Sequence, residues 1–151
     1  MSSILVIAEN RKAWHDYEIL EKFEAGLVLK GSEVKSLRAR QCQLKDSYVA
    51  FKGTEAYLQN AHISEYKSSS YNNHEPERLR KLLLNRNELD EIYAALREKG
   101  LTCVPLKVYF KNGRAKVELA LVRGKKAHDK REAIKKRDVA NQLRKTLQRS
   151  R

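Results

Sequence analysis

Short β-rich segments, an Asn-Gly pair between two of them and a helical stretch before the last pair predict a mainly β fold with helices. The arrangement that suits them is a small OB-type closed antiparallel β-barrel with embedded helices, because closure removes the free edges of short strands. The distribution of charge adds a boundary. Residues 123–151 hold 12 Lys/Arg against 3 Asp/Glu, whereas the preceding 122 residues hold 20 against 16. The chain therefore divides into a folded body, 1–122, and a basic C-terminal tail, 123–151. A mixed open α+β sandwich is the alternative architecture for the body.

The elements follow in order. Ile4–Ala8 is apolar and β-branched, as a strand requires. From Tyr17 to Leu29 the apolar positions, Tyr17, Ile19, Phe23, Leu27 and Leu29 among them, mostly keep odd numbers, the period of a half-buried strand. Gly26 interrupts that run and suggests a bulge or bend. Glu33–Arg40 reads as a short helix with Val34 and Leu37 on one face and Ser32 as its cap. Ser47–Phe51 and Ala56–Ile63 form two more β segments, joined by a turn at Lys52–Glu55.

Lys67–Glu77 is a polar loop. Beyond it Leu79, Leu82, Leu83, Leu89, Ile92, Tyr93 and Leu96 fit a helical period in two pieces. Asn85 followed by Glu88 makes a capping box, and Gly100 is placed to end the helix. Thr102–Phe110 and Ala115–Val122 then flank Asn112-Gly113, a strong hairpin signal because both turn residues tolerate positive φ. In the tail, Val139, Leu143 and Leu147 recur every fourth residue. So few apolar residues do not offset the ordering entropy, and the free tail is expected to be disordered and to fold on a partner.

Composition narrows the function. With 41% hydrophobic residues the chain can build a core despite 34% charged residues, and no apolar run approaches bilayer length. The N-terminus lacks the pattern of a signal peptide, so the expectation is a cytoplasmic protein without membrane attachment. Cys42 and Cys103 stand far apart and read as reduced, small hydrophobes. The tail has no aromatic residues after Val122, which favours nucleic acid over a membrane surface as its polyanion.

Catalytic patterns are missing. His15, His62, His74 and His128 share no ligand spacing, and phosphate-binding or nucleophile motifs do not occur. Asp16, Glu18, Glu21 and Glu24 are more simply the solvated face of one strand than a two-metal site. The expectation is a protein that is not an enzyme and has no cofactor or metal. Binding has more material. Arg78, Arg80, Lys81 and Arg86 surround a leucine cluster, and GKKAHDKREAIKKR is too basic to be neutralised by Asp129 and Glu132. Such charge suits phosphate, with strong salt dependence. His128 could stack on a base or be a bystander in the tail.

Taken together, Asn10-Arg11-Lys12-Ala13 with His15-Asp16-Tyr17, Glu24-Ala25-Gly26-Leu27, Gly31-Ser32-Glu33-Val34-Lys35-Ser36-Leu37-Arg38, Asp46-Ser47-Tyr48, Arg78–Leu84 and Gly124–Arg131 resemble, in order, the bacterial SsrA-binding protein family, SmpB. The resemblance runs from about Ile4 to Arg131, with a tail of similar character beyond. The basic N-terminal extension of some members has no counterpart before Ile4.

The resemblance implies an OB-type barrel that binds the tRNA-like domain of transfer-messenger RNA (SsrA) and delivers it to stalled ribosomes for trans-translation, peptide tagging and ribosome rescue. It implies elongation factor Tu with GTP and alanyl-charged RNA as indirect partners. The tail would enter the small-subunit decoding centre and mRNA channel as a helix. Matched to the family's RNA-contacting surface are Asn10, Glu24, Leu83 and Asn85, with Arg11, His15, Arg80 and Lys81 expected as neighbours in that patch. Matched to its ribosome-directed tail motif are Gly124, Lys125, Lys126, His128, Asp129, Lys130 and Arg131.

Overall fold

A computed structural model describes residues 3–66, 73–98 and 100–124. The tail positions Lys125, Lys126, His128, Asp129, Lys130 and Arg131, and part of the expected polar loop, lie outside the described residues. In chain order the elements are β1 (Ile4–Glu9), α1 (Arg11–Asp16), β2 (Tyr17–Leu27), α2 (Gly31–Arg38), β3 (Cys42–Gln43) and β4 (Tyr48–Lys52). Then come β5 (Glu55–Gln59), β6 (His62–Ile63), β7 (Arg80–Leu83), α3 (Arg86–Leu96), β8 (Leu101–Lys111) and β9 (Arg114–Gly124). The last strand thus runs through Arg123 and Gly124, past the expected end of the folded body.

The mainly β character holds, but the closed barrel does not form. A 7-stranded antiparallel sheet has the order β1-β8-β9-β2-β7-β5-β4, and β3 pairs with β6 in a separate ribbon. The large sheet curls until β4 lies against β8. β1 pairs with β8 only over Lys107–Lys111, and β4 makes no backbone pairing with either strand among the described residues, so the sheet stays open. The edge strands β1 and β4 therefore remain unpaired on their outer sides among the described residues.

The β8–β9 hairpin turns at Asn112 and Gly113, whose φ values of +51° and +81° are the pair a tight twisted turn demands. The Lys52–Glu55 turn also forms, with Gly53 at φ +62°. The expected helix before Asn85 is instead the strand β7. Its contiguous leucines do not separate helix from strand by period, and pairing with β2 and β5 decides for the strand. At α2, the Glu33 carboxylate accepts from the Lys30 N–H at 2.7 Å, so Lys30 caps the helix. The Ser32 hydroxyl instead bonds the Nδ1 of His74 at 2.9 Å.

Gly26 is not the site of the bulge. The register shift in β2 falls at Leu20, between Ile19 and Glu21. Gly26 lies directly opposite both Lys116 on β9 and Leu83 on β7. A Cβ at Gly26 would stand 3.2 Å from the Leu83 Cβ, so glycine permits the close approach of β7.

Two apolar clusters lie on opposite faces of the sheet. The inner one gathers Phe23, Ala25, Leu37, Leu58, Ile92, Val108, Val117 and Leu119 beneath α2 and α3. The smaller outer one, with Val104, Leu106, Ala120 and Val122, is covered by Ala13 of α1. Among the described residues no helix is long and apolar enough to cross a membrane. Cys103 is buried and Cys42 half-buried, both as free thiols. Burial pushes the Cys42 thiol up to about 11, against the pull of Arg80, which makes it a poor nucleophile.

Candidate nucleic-acid interface

The outer face of the sheet buries an apolar cluster where α1 sits on it. Side chains alternate along a strand, so those of Lys22, Glu24, Lys107, Tyr109, Lys111, Lys116 and Glu118 share this face beyond α1. Register places Tyr109 opposite Lys116, Lys107 opposite Glu118, and Glu24 opposite Glu118. Four lysines from three strands therefore surround two carboxylates. Leu83, opposite Gly26, continues the same face onto β7 and is 53% exposed.

Glu24 is held in place. The Tyr109 hydroxyl donates to its Oε2, and the Nζ of Lys111 lies 3.5 Å away. The Tyr109 hydrogen bond holds the Glu24 carboxyl below its usual range against some desolvation, with Lys111 and Lys116 helping. Burial, and then Glu24 itself, push the phenol of Tyr109 upward, so it remains a donor. An ionised carboxylate accepts hydrogen bonds and repels phosphate. Set among lysines, it can accept from ribose 2′-hydroxyls or base amino groups while the lysines meet the backbone.

The α1 helix borders this face. Asn10 starts it, its Oδ1 accepting from the Ala13 N–H at 3.2 Å. The Nδ2 of Asn10 donates to the carbonyl of Pro105 at 2.9 Å, and its backbone N–H to that of Leu106 at 2.7 Å. Those carbonyls lie at the irregularity of β8 between Pro105 and Lys107. Asn10 is thus 7% exposed and anchors α1. Arg11, Lys12, Trp14 and His15 are exposed around it.

The other expected positions divide sharply. Lys81 is half-buried and pairs with Glu55 at 2.9 Å, an interaction that lowers the carboxyl and raises the ammonium. Asn85 is exposed at the start of α3, and its Oδ1 accepts from the Glu88 N–H at 2.9 Å in the expected capping box. Arg80 must be corrected. It is fully buried, its Nε donating to Glu33 at 2.6 Å and its Nη1 to the Ala61 carbonyl at 2.8 Å. A buried guanidinium needs such a partner set, and reaching a phosphate would take from Glu33 one of its two guanidinium donors. Burial tends to raise Glu33, but donors from Arg78, the Lys30 N–H and Arg80 outweigh it and leave the carboxyl below its usual range.

The neighbouring carboxylates do not converge. Asp16 lies 3.1 Å from the His15 Nδ1, Glu18 lies 3.6 Å from the Arg123 Nε, and Glu21 hydrogen-bonds Glu91, raising the latter. Among the described residues no group of His, Cys, Asp and Glu is arranged to hold a metal ion. Lys22, Lys107, Lys111 and Lys116 escaped the sequence reading because single lysines on separate strands carry no local pattern. Their alternation against Phe23, Val108, Phe110 and Val117 was the one available signal.

Fold and surface together define a β-sheet scaffold with a basic, solvent-facing sheet face among the described residues. Residues 7–149 match the family described as SmpB protein, and the chain belongs to that family. It is similar to the SsrA-binding protein of Bdellovibrio bacteriovorus, 72% identical over 99% of this chain and 98% of that protein. The SsrA-binding protein of Syntrophobacter fumaroxidans is 55% identical over 91% of this chain and 86% of its own length. A chain in a solved structure described as "tmRNA-SmpB: a journey to the center of the bacterial ribosome" superposes with a TM-score of 0.70 at 52% identity. The match covers 84% of this chain and 93% of that one.

Proposed function

We propose that this chain is a cytoplasmic RNA-binding adaptor, not an enzyme. In this reading it binds the tRNA-like domain of transfer-messenger RNA and brings it to stalled ribosomes for trans-translation, peptide tagging and rescue. The observation that carries the reading is the outer sheet face, where Glu24, Leu83 and the exposed residues of α1 meet four lysines in a chain of the SmpB family. A half-cationic, partly acidic surface suits the shape and sugar edges of a folded RNA better than uniform phosphate binding. Arg11, His15, Glu24, Leu83 and Asn85 are the expected positions that remain exposed for such contact, and Lys81 is half-buried beside them.

Gly124, Lys125, Lys126, His128, Asp129, Lys130 and Arg131 open the segment assigned to the decoding centre and mRNA channel. An occupied channel would exclude it by sterics and like-charge competition. Elongation factor Tu with GTP enters through the alanyl-charged RNA rather than through a contact of this chain. Binding of the tRNA-like domain against an elongator tRNA, for the full chain and for residues 1–124 across a salt series, tests the assignment. Selective binding that survives truncation, with loss of tagging, is the expected result. Affinity that follows the tail and fades equally for both RNAs would leave a general basic RNA binder.

A further inference from the structure

Trp14 is the single tryptophan of the chain, and the residue is 45% exposed at the border of the charged face. Its neighbour Ala13 is buried against the outer apolar cluster, which commits the inward side of α1 and turns Trp14 away from that core. The Nζ of Lys22, from the same sheet face as Glu24, sits 4.7 Å from the indole centroid. That cation–π contact orients the ring, and the exposed Arg11, Lys12 and His15 supply charge beside it.

We propose that Trp14, held by Lys22, is a stacking platform for an unpaired nucleobase of the bound RNA. The inference rests on the RNA-binding reading above and adds a contact residue to it. Lys22 contributes through the ring and through any phosphate nearby. The indole supplies a π surface that accepts a base of any identity, so it adds affinity and registers the RNA on the face without reading sequence.

A sole tryptophan makes the test direct. The tRNA-like RNA is titrated into the full chain while indole emission and its quenching by acrylamide are followed, with binding measured independently by gel shift. The expected result is quenched emission and an indole shielded from acrylamide. Trp14→Ala weakens binding about tenfold or more, and Trp14→Phe recovers most of that loss. RNA bound by gel shift with emission and acrylamide access unchanged overturns the proposal. So does Trp14→Lys binding as tightly as the parent chain, which would make the position one of charge. Trp14→Ala with a lowered melting temperature but unaltered RNA affinity would reduce the pair to a tie between α1 and β2. Absence of any selective RNA binding by the parent chain would instead overturn the functional reading itself.

Discussion

Arg80 and Lys81 are adjacent residues of one strand with the same formal charge, yet they belong to two different parts of the molecule. Arg80 points inward to a cluster with Glu33 and Arg78, where the carboxylate is fully buried and accepts from both guanidiniums at 2.6 Å. Lys81 points outward, toward the face that carries Leu83, and forms an exposed pair with Glu55. Sheet alternation makes one cation a structural element joining α2, β7 and the loop carbonyls of Ala61 and Pro76, and makes the other a surface charge. A basic residue in a strand of an RNA-binding protein is therefore assigned by its face before its charge.

The sharpest way to break this comparison is to remove each cation. Arg80→Ala should destabilise the fold by about 3–5 kcal/mol in denaturant unfolding, because the buried Glu33 then loses one of its two guanidinium partners and keeps only Arg78 and the Lys30 N–H. Equal stability of that variant and the parent would mean that the buried cluster is not a stability element. Lowering the pH attacks the same cluster from the other partner. The folded-state carboxyl of Glu33 lies below its ordinary value of about 4.3, so its contribution is complete at neutral pH and disappears as the pH falls through the lowered folded value. A thermal melting series between neutral pH and about pH 3 should show that loss in the parent chain and a flatter profile in Glu33→Gln.

The outer face should behave differently. Leu83→Ala is expected to weaken binding of the tRNA-like RNA about five- to tenfold at an unchanged melting temperature, since it removes exposed apolar area from the recognition surface alone. Unchanged affinity would move the RNA away from β7. A smaller effect concerns the lysines. Alanine at Lys107, Lys111 or Lys116 should reduce the slope of log affinity against log salt by roughly 0.7–0.9 for each phosphate left without its lysine. Lys81→Ala lies at the bottom of the series, with an unfolding midpoint inside the scatter of parent curves.

Much of the fold was legible locally. The Asn112-Gly113 hairpin, the Gly53 turn and the Asn85–Glu88 capping box each depend on residues within a few positions of one another, and all three form. The helix expected across Arg78–Leu83 failed because a run of three leucines fits either period, and distant strands made the choice. The site was legible in part for the same reason. Glu24 and Leu83 lie on the charged face, whereas Asn10 and Arg80 turn into the structure. The lysines that complete the surface are scattered from Lys22 to Lys116, and only register aligns them.

By itself the sequence determined the mainly β character, the hairpins, the charge boundary near Arg123 and the family. These depend on composition, on short-range backbone preference and on ordered motifs. Tertiary structure alone decided that the sheet curls without closing and that β7 is a strand. It also decided which of two neighbouring cations is buried and which lysines share a face. Those outcomes depend on strand pairing between residues far apart in the chain, where one position of register exchanges core for solvent.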